Sequence, residues 1–207
     1  MSFENVYEKE LSFQTDRRKA AVTFINIISD LWYDKAIELI IFRNQLIDRN
    51  VSEILNLHEY AGEFVEKPIS IFDSVEIAQA IKTLNLPPAK LDIGKLTYEF
   101  HMEKKQSNAL VFVSEKLKNA KDQQDITPKD VVLYGFGRIG RLLARELMTR
   151  TGKGSLMRLR AIVTRGAIDQ TVLEKRASLL KYGSVHGDFP GTVIVDAKNS
   201  ALIINGT

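Results

Sequence analysis

Cysteine is absent from the 207-residue chain, so these residues offer no disulfide framework, no thiolate metal site and no thiol nucleophile. Long apolar runs are missing too. The two most hydrophobic stretches, AAVTFINII and IELIIF, are separated by Asp30, Asp34 and Lys35. Neither nears the roughly 20 residues a membrane span needs. The opening MSFENVYEKE has no basic flank and no apolar centre, so no signal peptide is expected. Charge of one sign is also lacking: 29 Lys and Arg against 26 Asp and Glu give +3, too little to imply a polyanionic partner. His58 and His101 have no second histidine or carboxylate pair at ligand spacing, so no metal site is expected. A cytoplasmic protein is the plain reading.

What is present divides into two kinds of sequence. Residues 1–121 read as helices and suggest an all-helical accessory domain. Ala21, Ile25, Ile28, Trp32, Ala36 and Leu39 form a stripe at helical spacing within residues 18–47. Asn50 followed by Glu53 signals a helix start, with Ile54, Leu57, His58, Ala61 and Val65 as its apolar face. Asp73 and Glu76 repeat that signal, and Pro87 and Pro88 break the pattern. Residues 96–102 alternate like a strand but fit a helix, and their helical neighbours favour helix. Leu110, Val113 and Leu117 make a last short one. His58 reads as a satisfied histidine in an apolar stripe and His101 as a surface residue. The polar run KNAKDQQDITPKD, from Lys118, places a linker over residues 122–130.

From residue 131 the pattern changes. A β-branched run at 131–134 meets Gly135, Gly137 and Gly140; an amphipathic segment carries Ile139, Leu142, Leu143 and Leu147; a second β-rich run covers 159–164. Strand, glycine turn, helix and strand in that order make G-x-G-x-x-G a dinucleotide-binding fingerprint. Gly135 permits the sharp turn, Gly137 permits close approach of a pyrophosphate, and Gly140 permits tight helix packing. The free N–H groups at the start of the helix would face the phosphates. Between 138 and 165 stand Arg138, Arg141, Arg145, Arg150, Lys153, Arg158, Arg160 and Arg165, against Glu146 alone. These form either a solvated face, with Glu146 and Arg150 paired, or an electropositive rim for a phosphate-bearing ligand. Arg138, inside the glycine turn, favours the ligand. Nucleic acid ranks low, for want of interleaved aromatics.

GFGRIGR at 135–141, together with KYGSVHGDFPGTVIVDAKNSALIING at 181–206, resembles the glyceraldehyde-3-phosphate dehydrogenases. The resemblance runs from about Lys129 to the end and implies the first half of a Rossmann-type dinucleotide-binding domain over 131–207. The fold expected is therefore α/β, with the helical domain in front. The implied cofactor is NAD or NADP, held by Gly135, Phe136, Gly137, Arg138, Ile139 and Gly140, with Thr164 and Arg165 at the end of the second strand. That family usually places Asn-Asp there, and the Asp accepts bonds from the adenosine ribose. Arg165 cannot accept; it can pair with a 2′-phosphate, so the sequence leans toward NADP or dual use. Asp169 suits a helix N-cap better than a ribose partner. Gly183 and Asp188 depart from the family's loop, in which a structural role suits Ser184 and His186.

The resemblance also implies oxidation of glyceraldehyde 3-phosphate with phosphate as co-substrate, in glycolysis, by a homo-oligomer. Its chemistry needs a cysteine thiolate, which this chain lacks. Residues 1–207 are thus expected to be the N-terminal portion of a larger dehydrogenase, inactive alone and holding no catalytic residue. The alternatives are a non-catalytic dinucleotide-sensing protein and a protein-docking module built on the helical half.

Overall fold

A 33-residue helix, α1 (Phe3–Lys35), begins the chain. The computed structural model describes residues 3–103, 108–120, 127–152, 154, 156–183 and 187–207. Ala21, Phe24, Ile28, Leu31 and Trp32 recur at three- and four-residue spacing and are all buried, which fixes the inner face of α1. The helix stops where Ala36 turns left-handed, at φ 54°. The Lys35 ammonium donates to the carbonyls of Lys82 and Leu84, linking this end to a later helix.

The expectation that the front half is all-helical is corrected here. Beyond Ala36 the chain forms strand β1 (Ile37–Ile41), then a short β2 (Asn44–Gln45). With β3 (Ala89–Asp92) they make a three-stranded sheet in the order β2-β1-β3, with β1 and β3 parallel and β1 and β2 antiparallel. The run Ile-Glu-Leu-Ile-Ile buries Ile37, Leu39 and Ile41 in strict alternation. Leu39 fits either period, but three β-branched residues in five favour the pleated backbone.

The remaining helices of this unit follow their local signals more closely. Helix α2 (Val51–Phe64) opens on the capping box: the Asn50 side chain accepts from the Glu53 N–H (3.0 Å), and the Glu53 carboxylate accepts from the Asn50 N–H (2.9 Å). Helix α3 (Ile71–Thr83) starts earlier than Asp73 and Glu76 suggested, because Ser70 is the cap and accepts from the N–H groups of Phe72 and Asp73. Helix α4 spans Ile93–Glu103. In α5 (Ala109–Lys116) the buried residues are Ala109, Phe112 and Val113, while Leu110 is exposed. A 3₁₀ turn, Lys118–Ala120, follows, and residues 122–126 of the expected linker lie outside the described residues. One continuous cluster that includes Phe24, Leu31, Ile54, Ile77, Ile81 and Phe100 forms the core of the unit Met1–Ile126.

The second unit, Thr127–Thr207, has a β–α–β beginning. Strand β4 (Lys129–Tyr134), helix α6 (Arg138–Thr149) and strand β5 (Met157–Val163) follow in order, and β4 and β5 pair in parallel. A bulge between Val131 and Val132 leaves Arg160 without a register partner. Helix α7 (Gln170–Lys181) is capped by Asp169, whose carboxylate accepts from the Val172 N–H (2.8 Å). An antiparallel hairpin, β6 (Val193–Asp196) and β7 (Ala201–Ile204), ends the unit. At Asn205 and Gly206 both φ values are positive, 52° and 85°, as a tight turn of this kind requires. Ala144, Leu180, Phe189 and Ile204 centre the core of this unit, joined by Leu133, Leu159 and Ile162 from the inner face of the strands. The outer face of β4 and β5 leaves Val132, Tyr134 and Val163 exposed.

Candidate functional site

The site is built where β4 gives way to α6. After Tyr134 the backbone turns at Gly135, whose φ of 106° favours glycine, and the Gly135 N–H donates to the Val163 carbonyl (2.8 Å). That bond ties the turn to the end of β5. The Arg141 guanidinium donates to the Phe136 carbonyl (3.3 Å) and braces the turn from the helix side. Phe136 packs on the core of the unit. Arg138 and Ile139 are exposed in the first turn of α6.

The glycines differ in what the fold asks of them. A Cβ at Gly140 would collide with the carbonyl oxygen of Gly135, so the close approach of helix to turn excludes any side chain there. Gly137 is the N-cap of α6, with φ −74° and ψ −164°, an ordinary extended conformation. A Cβ at Gly137 would meet nothing within 4 Å. Nothing in the described residues requires glycine at 137, which leaves the space beside it open to a ligand. No side chain caps α6 through Gly137, so its first N–H groups face outward.

Beside the turn, at the carboxyl ends of β4 and β5, lies a cavity of about 650 Å³. Gly135, Phe136, Thr164 and Arg165 line it, with Tyr134 and Val163; Gly137, Arg138, Ile139 and Gly140 are not among its lining residues. The fourth side is α7, through Val172, Lys175, Arg176 and Leu179. Arg165, Lys175 and Arg176 make this wall cationic, and among the described residues no carboxylate lines it. The Thr164 hydroxyl is buried and, among the described residues, has no hydrogen-bond partner. An unsatisfied hydroxyl is a cost that a ligand oxygen or nitrogen would remove. Lys175 and Arg176 escaped the sequence reading. Their only local signal is the spacing of Val172, Lys175, Arg176 and Leu179 along one face of a helix.

The basic run along α6 and β5 separates by partner. Arg145 donates to the carbonyls of Leu180 (2.7 Å) and Gly187 (2.9 Å), fastening α6 to the end of α7. Arg150 pairs with Glu146 across one helical turn, as the spacing anticipated. Arg158 and Arg160 both approach Asp130, at 2.8 and 3.7 Å. For these four the solvated or structural account holds. Among the described residues no ion pair engages Arg138 or Arg165, the two cations nearest the turn and the strand end. Lys153, Ser184 and His186 lie outside the described residues. A Cβ at Gly183 would press on the Gly187 carbonyl at 2.9 Å and on the Arg145 guanidinium at 3.1 Å, so the arginine clasp leaves little room for a side chain there.

A second cavity, of about 570 Å³, opens between β5 and the β6–β7 hairpin over Leu159, Ile162, Leu173 and Leu202. It lies along a strand edge, whereas the first cavity joins the glycine turn. In the first unit His58 is buried. Its Nδ1–H donates to the Ile54 carbonyl (2.8 Å), and Nε2 accepts from the Ser74 hydroxyl (3.0 Å). Thr97 in turn donates to Ser74 at 3.2 Å, so the three polar groups satisfy one another. Burial pushes the imidazole down from 6.5 to about 4. Among the described residues no group of three or more His, Cys, Asp or Glu could hold a metal ion, and no helix is long and apolar enough to cross a membrane.

Residues 129–207 match the family model of the glyceraldehyde 3-phosphate dehydrogenase NAD binding domain. The resemblance read from the two motifs therefore stands over these residues. A glyceraldehyde-3-phosphate dehydrogenase-like protein of Pseudomonas aeruginosa (strain UCBPP-PA14) is 38% identical over 187 residues, 88% of this chain and 40% of that protein. Because that match spans most of the chain, it reaches into the helical unit as well. Glyceraldehyde-3-phosphate dehydrogenases of Zymomonas mobilis and Bacteroides fragilis are 38% and 41% identical over 76 residues, 37% of this chain and 20% of each of theirs. The chain thus spans less than half the length of the curated relatives it matches.

Proposed function

We propose that the unit Thr127–Thr207 is the first half of a Rossmann-type dinucleotide-binding domain, serving a phosphorylating glyceraldehyde-3-phosphate dehydrogenase. The observation that supports this best is the combination at the turn: parallel β4 and β5, an uncapped α6, and open space at Gly137 beside a cationic cavity. In the complete enzyme, glyceraldehyde 3-phosphate and phosphate would be the substrates, in the cytoplasm, and the nicotinamide cofactor supplies the acceptor for a hydride. The chain's own residues bind and orient. The backbone of Gly135, Phe136 and Gly137 and the first N–H groups of α6, at Arg138, Ile139 and Gly140, would face the pyrophosphate. Arg138 adds a cation beside it.

Thr164 and Arg165 would meet the adenosine ribose. The orphaned Thr164 hydroxyl would gain a partner there. Arg165 offers donors and no acceptor, so it rewards a 2′-phosphate and does nothing for a free 2′-hydroxyl acting as donor. The reading is therefore that NADP is used at least as well as NAD. With no cysteine in the sequence, the thiolate attack on the aldehyde falls outside residues 1–207, which by themselves oxidise no aldehyde.

Steady-state kinetics of the complete enzyme with both cofactors test this. Arg165→Asp is expected to move the ratio of kcat/KM toward NAD by about tenfold or more, since each charge-assisted bond contributes roughly 1.5–3 kcal/mol before screening. A wild-type enzyme that strongly prefers NAD, with a ratio unmoved by the substitution, would show that Arg165 points away from the ribose.

A further inference from the structure

Among the described residues, nothing covers an apolar series on the outer face of α1. Tyr7 is 65% exposed, Leu11 51% and Val22 49%, although all three sit on the same helix whose other side forms the core. Tyr7, Leu11, Gln14, Arg18 and Val22 follow one another at spacings of four, three, four and four residues, so they lie along one narrow stripe. This stripe is distinct from the inward face of Ala21, Phe24, Ile28 and Leu31, which is buried. Residues 6–16 are exposed all round, so this half of α1 stands with little tertiary support. A helical segment of that length is marginal on its own in water.

The order of the residues indicates what covers the stripe. About a point between Gln14 and Thr15 the four outer members are symmetric in position: Tyr7 answers Val22, and Leu11 answers Arg18. Two copies of α1 laid antiparallel therefore bring Tyr7 of one onto Val22 of the other, and Leu11 onto the aliphatic stem of Arg18. Charge agrees with that orientation. The flanks carry Glu8 and Glu10 at one end and Arg17 and Lys19 at the other. In antiparallel pairing residues on the same flank meet, which sets Glu8 against Lys19 of the second copy; on the other flank Arg17 is held by Glu59 of its own α2 at 3.1 Å. A parallel pair in register would bring opposite flanks together and set Glu8 against Glu10 and Arg18 against Arg18. Lys9 and Asp16 fall on the far side of the helix, away from this contact.

We infer that α1 pairs antiparallel with α1 of a second copy of this chain, through Tyr7, Leu11, Arg18 and Val22. The overlap of residues 7–22 is about 24 Å of helix, and two helices in contact over that length bury on the order of 1,000 Å² in total. That is the small end of specific interfaces, so the dimer is expected to depend on concentration.

Sedimentation velocity of the chain from about 5 to about 500 µM tests it. The wild-type protein should pass from monomer to dimer, and Leu11→Glu should stay monomeric with an unchanged far-UV circular dichroism spectrum. Glu8→Lys and Lys19→Glu should each weaken the dimer about tenfold at low salt, because two like-charge contacts replace two opposite ones. An equimolar mixture of those two variants restores both opposite contacts and should regain wild-type affinity. A monomer throughout the range overturns the inference. So does a dimer indifferent to Leu11→Glu, or a mixture no tighter than either variant alone; both point to association through another surface.

Discussion

His58 shows how a single buried group couples the first unit to pH. Its Nδ1–H and Nε2 are both satisfied in the neutral form, and burial holds its pKa at about 4 against 6.5 in the unfolded chain. A depressed folded pKa means that the unfolded state binds the proton first as pH falls. Stability is therefore full above about 6.5 and is lost between there and about 4, roughly 2 kcal/mol of it between pH 7 and pH 5. Denaturant titrations at those two pH values, on wild type and His58→Leu, isolate this from the titration of carboxylates. The variant should be weaker at pH 7 but lose about 2 kcal/mol less on acidification. An identical pH dependence in both proteins would mean that the histidine is protonated and accommodated in the fold.

Among elements, the glycine turn separates what folding needs from what a ligand needs. Gly140→Ala places a methyl group against the Gly135 carbonyl and should destabilise the second unit by about 1–3 kcal/mol. At Gly137 an added Cβ meets no atom within 4 Å, so for Gly137→Val thermal unfolding should shift little while cofactor affinity drops by about tenfold or more. Equal loss of stability in both variants would make Gly137 a structural residue. This turn was legible in the sequence because its signals are local: glycine spacing, a β-branched strand before it and an amphipathic helix after it. The Asn50–Glu53 capping box and the Asp169 cap were legible for the same reason. Helix α3 was misplaced because Ser70 and Asp73 are both acceptable caps, and only the backbone decides between them. Strand β1 was missed because Ile37–Ile41 is too short to separate a period of two from one of 3.6. Its parallel partner Ala89–Asp92, moreover, stands some 50 residues away in the chain.

For the whole molecule, the sequence placed Thr164 and Arg165 at the strand end, and both line the cavity. It did not reveal Lys175 and Arg176, since their approach depends on how α7 packs, which no local pattern encodes. The first unit has a larger core than the second, and among the described residues no group of three or more His, Cys, Asp or Glu could hold a metal ion. Dinucleotide binding by the second unit, with preference for the 2′-phosphorylated form, is tested without turnover by amide chemical-shift mapping of the chain, titrated with NADP and with NAD. The expected result is that shifts concentrate at Gly135–Gly140, Thr164 and Arg165, are larger for NADP, and reverse their preference in Arg165→Asp. Shifts absent from the glycine turn, or equal for the two cofactors in both proteins, would contradict the account.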